Sequence, residues 1–167
     1  MTTAAVTAPL RLGLVGSPNS GKTTLFTALT GLRAKVGNYP GVTVERREGS
    51  ATFEGRRSVV IDLPGSYSLS PVSPDEEVVM RVLDGELDGV PEALAVVADA
   101  NTLERSLLML AQILHREIPT CLVLTMTDEF QARGGRPALP RLARAPGLPV
   151  PRRVGHPAVG VAKRRRL

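Results

Sequence analysis

The run Gly16-Ser17-Pro18-Asn19-Ser20-Gly21-Lys22-Thr23 constrains this chain more than any other feature. Two glycines with four residues between them, followed by lysine and threonine, make a loop whose backbone N–H groups converge on a phosphate. The loop works only between a buried strand and a helix N-terminus, where unpaired amides and the helix dipole favour an anion. The flanking sequence supplies both. Leu12 to Gly16 is a short apolar run with an abrupt stop, which reads as a buried strand. Lys22 to Gly31 places Leu25, Ala28 and Leu29 at helical spacing, with Gly31 as the C-terminal stop. Gly16 to Thr24 are therefore the candidate phosphate-binding residues. Lys22 reaches the terminal phosphates as a point charge, and Thr23 offers its hydroxyl to a magnesium ion that keeps most of its waters.

The remainder of the chain alternates strands and helices. Arg33 to Thr43 is rich in glycine and polar residues and reads as a loop, whereas Val44 to Phe53 and Ser58 to Asp62 read as an antiparallel strand pair turning at Glu54-Gly55. A second loop, Ser66 to Val72, leads to a helix start at Ser73-Pro74-Asp75-Glu76 and a helix running to Leu83. Ala93 to Ala98 and Thr120 to Thr125 are further buried strands, with Val150 to Val154 as a last candidate. Between them Leu103 to Arg116 carries Leu103, Leu107, Leu110, Ala111 and Leu114 as an apolar stripe. The alternation predicts an α/β sandwich of three layers, its sheet mostly parallel with one antiparallel edge strand.

A second chemical element ends the Ser58 to Asp62 strand. In phosphoryl-transfer proteins a carboxylate at this place holds magnesium, and a following glycine brings its N–H to the terminal phosphate. Asp62-Leu63-Pro64-Gly65 fits both roles. Taken alone, an aspartate followed by glycine is a turn, so its placement one strand pair after the phosphate loop carries the argument. Thr43 is the natural third piece, a hydroxyl that meets magnesium only when the terminal phosphate is present, which is a switch. Taken alone, Thr43 is an ordinary β-branched residue at a strand entrance.

Four stretches together carry a family resemblance: Gly16 to Gly31, Val36-Gly37-Asn38-Tyr39-Pro40-Gly41-Val42-Thr43-Val44-Glu45, Asp62-Leu63-Pro64-Gly65-Ser66-Tyr67-Ser68-Leu69, and Val97-Ala98-Asp99-Ala100-Asn101-Thr102-Leu103-Glu104-Arg105. Over about residues 11 to 128 the chain resembles the N-terminal G domain of the FeoB ferrous iron transporters, Ras-like P-loop GTPases. The resemblance implies GTP binding and hydrolysis in a domain on the cytoplasmic side of the bacterial inner membrane, regulating a membrane permease domain. It also implies that Asn19 holds a potassium ion, which neutralises transition-state charge as an arginine finger would. The candidate catalytic set is thus Asn19, Lys22, Thr43 and Gly65; Thr23, Thr43 and Asp62 are the candidate magnesium ligands. Gly65 is followed by Ser66 and not by a water-orienting glutamine, so slow intrinsic turnover is expected.

The base-binding end departs from the family. The family's Asn-x-x-Asp is here Thr125-Met126-Thr127-Asp128, which keeps the carboxylate but replaces the asparagine amide by a hydroxyl. That hydroxyl can tie neighbouring loops together, yet it lacks the amide's paired donor and acceptor. Gly155-His156 stands where a Ser-Ala element is expected. Selectivity for guanine is therefore open to reduction, and ATP enters as a competing ligand.

Charge and composition set the remaining expectations. Residues 1 to 129 carry a net −5, and residues 130 to 167 carry +10 with no acid. A tail of that kind could meet anionic lipid or nucleic acid, but an aromatic content of 3% offers no stacking platform for RNA. The single Cys121 forms no internal disulfide and reads as a buried structural thiol in a reducing compartment. Neither a signal peptide nor a spanning helix is read in the chain. Residues 1–10 are expected to be disordered, 11–156 to form the G domain, and 157–167 to be a basic stub, without the helical GDI-like domain or a transmembrane domain. A shortened final helix would leave apolar surface near Val150 and Val154, which favours homo-oligomers formed by exchanging a terminal element. Two histidines and one cysteine, scattered, make no iron site. Two further readings compete with the regulatory GTPase: a nucleotide-responsive module with little turnover, and a ribosome-associated GTPase that uses the basic tail on RNA.

Overall fold

The computed structural model describes residues 8–31 and 33–135. Its strands are β1 (Leu10–Gly16), β2 (Ala34–Asn38), β3 (Glu45–Phe53), β4 (Arg56–Asp62), β5 (Ala93–Asp99) and β6 (Thr120–Thr125). Its helices are α1 (Lys22–Thr30), α2 (Pro74–Leu83), α3 (Leu103–Leu114) and α4 (Thr127–Ala132). The sheet runs β2-β3-β4-β1-β5-β6, with β4, β1, β5 and β6 mutually parallel and β3 antiparallel to β4.

Alternate residues of the central strands feed two separate cores. Leu14, Val60, Ala95, Val97 and Val123 face α1 and pack on Leu25 and Phe26. Val15, Ile61, Val96, Ala98, Leu122 and Leu124 join the other core with Val78, Val79 and Val82 of α2 and Met109, Leu110 and Ile113 of α3. Each fully buried side chain of this size contributes roughly 1.5–3 kcal/mol. The predicted α/β sandwich is present.

Local chemistry accounts for the element ends. The β3–β4 turn at Glu54-Gly55 has φ of 49° and 79°, the pair of positive values that a tight two-residue hairpin requires. The α2 start is capped twice: the Ser73 hydroxyl accepts from the Glu76 N–H at 3.3 Å, and the Glu76 carboxylate accepts from the Val72 N–H at 3.3 Å. Pro74 occupies the first turn, and three acids there complement the helix dipole.

Four expectations are corrected. The supposed loop from Arg33 to Thr43 contains β2, which pairs antiparallel with β3 from Ala34↔Gly49 to Asn38↔Glu45 and takes the sheet edge outside it. All five β2 residues are exposed, so main-chain bonding holds the strand and no apolar alternation marks it. The α3 stripe is offset: Ser106, Met109, Leu110 and Ile113 are buried, while Leu107 is 44% exposed. That helix begins with a 3-10 turn, Ala100–Thr102, and stops at Leu114. Strand β1 begins at Leu10, inside the segment expected to be disordered. Cys121 is only half-buried, although burial still pushes its thiol pKa up to about 11. Val150 to Val154, Gly155, His156 and residues 157–167 lie outside the described residues.

Candidate functional site

Strand β1 ends where the phosphate loop begins, and the register sets its neighbours. Leu14 lies beside Asp62 of β4, and Gly16 beside Val97 of β5. No side chain fits at Gly16, because a Cβ there would sit 2.4 Å from the Val97 carbonyl and 2.9 Å from Ser20 Oγ. The loop then turns on two left-handed residues, Asn19 at φ 64° and Gly21 at φ 79°. Asparagine is among the few side-chain-bearing residues that tolerate this conformation.

The N-terminus of α1 contrasts with that of α2. Gly21 provides no side-chain cap, and the first turn holds no acid. Its amides and dipole are thus left for an external anion. Ser20 Oγ, buried within the loop, has no hydrogen-bond partner among the described residues. A buried hydroxyl without a partner costs free energy, and this one lies in the loop that leads into the uncapped α1 N-terminus. Lys22 opens α1 as a buried residue, and its Nζ pairs with Oδ1 of buried Asp62. Cation and carboxylate therefore stand together at the mouth of the loop. Thr23 and Thr24 follow, both exposed.

The segment after β4 docks onto this loop. The Leu63 N–H donates to the Leu14 carbonyl at 3.1 Å, and the Ser66 N–H donates to the Gly16 carbonyl at 3.0 Å. A Cβ on Gly65 would come within 3.2–3.4 Å of the Pro18 ring and backbone, so glycine permits the close approach. Thr43 lies farther out, exposed, in the loop between β2 and β3.

The third part of the site comes from β6 and α4. Thr125 Oγ1 lies 2.7 Å from the Ser20 carbonyl and 3.2 Å from the Ala98 carbonyl, and its methyl packs under Gly21. One hydroxyl proton serves one acceptor fully, and the shorter contact is to the phosphate loop. The tie foreseen for this threonine is present. Met126, at φ 52°, redirects the chain into α4, whose first turn presents the exposed carboxylate of Asp128. The short α4 had no marking in the sequence. The structure thus gathers the phosphate loop, Asp62, Gly65 and Thr125 at the ends of β1, β4 and β6, sets Thr43 and Asp128 on its approaches, and leaves Gly155 and His156 undescribed. Sequence reasoning missed Ser66, whose amide ties the second loop to the first, and Tyr39, discussed below.

A mostly parallel sheet with a phosphate loop at the β1–α1 junction and an Asp-x-x-Gly loop beside it defines a G domain of the P-loop class. Comparison narrows the class to a family. The sequence model of the family described as Ferrous iron transport protein B, FeoB_N, matches residues 10–165. The chain is 41% identical over 145 residues to the Fe(2+) transporter FeoB of Escherichia coli K12, covering 84% of this chain and 18% of that protein. It is 38% identical over 152 residues to the Fe(2+) transport protein A/FeoB fusion protein of Porphyromonas gingivalis, covering 91% of this chain and 18% of that protein. The chain thus spans about a fifth of the length of these curated relatives. The G domain of the T. maritima FeoB iron transporter superposes with a TM-score of 0.76 at 39% identity, covering 86% of each chain. The cytosolic domain of the same transporter in a GDP form gives 0.79 at 40% identity, covering 86% of this chain and 55% of that one. The chain belongs to the FeoB N-terminal domain family.

Proposed function

We propose that this chain binds and slowly hydrolyses GTP as the regulatory domain of a ferrous iron transporter, on the cytoplasmic side of the bacterial inner membrane. One observation carries the proposal: an uncapped, acid-free α1 N-terminus, with the buried Ser20 hydroxyl unpaired and Lys22 beside Asp62, on a fold whose solved relatives include GDP and GMPPNP forms. In this reading the Gly16 to Gly21 backbone cradles the phosphates and Lys22 exchanges its carboxylate partner for a phosphate oxygen. The Gly65 N–H faces the terminal phosphate. Asp128 accepts from the base, with Thr125 and Met126 shaping that pocket, and Gly155 and His156 complete the proposed base-binding set.

Magnesium fits the residues present, since the Thr23 hydroxyl, the Asp62 carboxylate and the Thr43 hydroxyl are all hard oxygen donors. Asn19, exposed on the loop, offers an amide oxygen to potassium. Held by these residues, the two cations would supply charge neutralisation at the terminal phosphate. Ser66, and not a water-orienting glutamine, follows Gly65, which supports slow turnover. The same observation favours the second reading, a nucleotide-responsive module with little turnover. The partner proposed for either is a membrane permease domain.

The test is affinity and turnover for GTP, GDP and ATP, measured side by side in sodium and potassium buffers. GTP and GDP outcompeting ATP, with faster hydrolysis in potassium, is the expected result. Equal affinities for GTP and ATP defeat the guanine assignment, and an absent potassium effect removes Asn19 from its role.

A further inference from the structure

The loop that carries Thr43 is fastened at both ends by buried side chains. Tyr39 is 1% exposed and sits in the larger core, and Val44 is buried with it. Between them Tyr39-Pro40-Gly41-Val42 forms a β-turn. The Val42 N–H donates to the Tyr39 carbonyl at 3.2 Å, and Gly41 has φ 76°, the left-handed value demanded at the third position of a turn with proline second. The Tyr39 N–H donates to the Val44 carbonyl at 3.0 Å and closes the loop. A cavity of about 620 Å³ opens beside it, lined by Asn38, Tyr39, Val42, Thr43 and Pro74 among others.

The tyrosine ring is gripped as well as buried. The Arg46 guanidinium lies 5.7 Å from its centroid and donates to Glu48 at 2.6 Å, and Glu48 also accepts from Arg11 at 3.2 Å. This network joins the ring to β3 and β1. The phenol hydroxyl has no hydrogen-bond partner among the described residues, so the ring and not the hydroxyl holds the position.

We propose that Tyr39 is a positioning residue for Thr43: the ring stays seated while Pro40 to Thr43 pivots about it to carry the Thr43 hydroxyl toward the terminal phosphate. The inference rests on the nucleotide-binding reading above. Withdrawing an aromatic ring exposes on the order of 150–250 Å², more than one hydroxyl–cation contact offsets. Gly41, where an added Cβ would meet only open space, supplies the hinge.

The chain has two tyrosines, Tyr39 and Tyr67, so 3-fluorotyrosine labelling yields two ¹⁹F signals, and Tyr67→Phe assigns them. The Tyr39 signal is expected to show no solvent isotope shift with either GDP or a non-hydrolysable GTP analogue. A shift that appears only with the analogue means the ring leaves the core and overturns the inference. Tyr39→Phe is expected to keep both affinities. Tyr39→Ala is expected to leave GDP affinity within about threefold while weakening the analogue and slowing hydrolysis by roughly tenfold or more. Should Tyr39→Ala fail to fold, Arg46→Gln, which loosens the grip from outside the core, is expected to weaken the analogue alone by about threefold. Parallel loss of both nucleotides, or loss of neither, overturns a positioning role. Absent nucleotide binding by the parent chain strikes the underlying reading instead.

Discussion

Replacing Thr125 by valine tests the tie between β6 and the phosphate loop. Valine keeps the shape and the methyl that packs under Gly21, and removes only the hydroxyl that bonds the Ser20 carbonyl at 2.7 Å. The net value of such a bond is about 0.5–1.5 kcal/mol, and a stranded buried acceptor adds about 1–3 kcal/mol. Ser20 is 1% exposed, so its carbonyl has little access to water. Thr125 itself is half-buried, and the added methyl recovers part of the loss, which leaves a net of about 1–2 kcal/mol. For a domain of this size that is a fall in Tm of about 3–8 °C. Thermal unfolding by circular dichroism, with Thr125→Ser as the variant that keeps the hydroxyl, is the assay. The expected order is parent, then serine, then valine. A valine variant melting within about a degree of the parent would refute the reasoning. In nucleotide binding, the valine variant is expected to weaken GTP and ATP alike, since the hydroxyl holds the loop and does not read the base.

Two further outcomes follow from packing and burial. A Cβ at Gly49 would lie 2.6 Å from Cβ and Cγ2 of buried Thr30, so Gly49→Ala is expected to destabilise by about 1–3 kcal/mol, read from the urea midpoint at unchanged slope. Burial raises the Tyr39 phenol from 10.0 to about 12. Its stabilisation is complete below pH 10 and is lost as pH rises toward 12, because the unfolded chain ionises first. Two units correspond to about 2–3 kcal/mol. Urea titrations across that window in a Cys121→Ala background, which removes the raised thiol, are expected to show this loss, and Tyr39→Phe is expected to abolish it.

The parts legible in the sequence were those with a local cause. Leu12 to Gly16, the glycine spacing and the Gly31 stop mark β1, the loop and α1 without help from the rest of the chain. Ser73-Pro74-Asp75-Glu76 marks the α2 start in the same way. Strand β2 was not legible, because an exposed edge strand owes its existence to main-chain pairing with β3 and to the Pro40-Gly41 turn, neither of which leaves an apolar pattern. The α3 face was misjudged because its leucines run nearly all round the helix, and only the packed sheet decides that Met109 and Ile113 go in while Leu107 stays out. At the site, Lys22, Asp62 and Gly65 were readable from spacing, and the Thr125 tie followed from hydroxyl chemistry. Tyr39 carried no separate signal, since its burial depends on a core assembled from segments far apart in the chain.

The most direct test is calorimetric titration of the parent chain and Lys22→Ala with GTP and GDP in the presence of magnesium. Removing the lysine strips the positive charge at the start of α1 and leaves Asp62 unpaired in a buried position. Thermal unfolding of the same samples establishes that the variant is folded. Saturable binding of both nucleotides by the parent, lost in the folded variant, is the predicted result. Unchanged binding in Lys22→Ala, or no binding by the parent, would contradict the assignment of this loop as a nucleotide site.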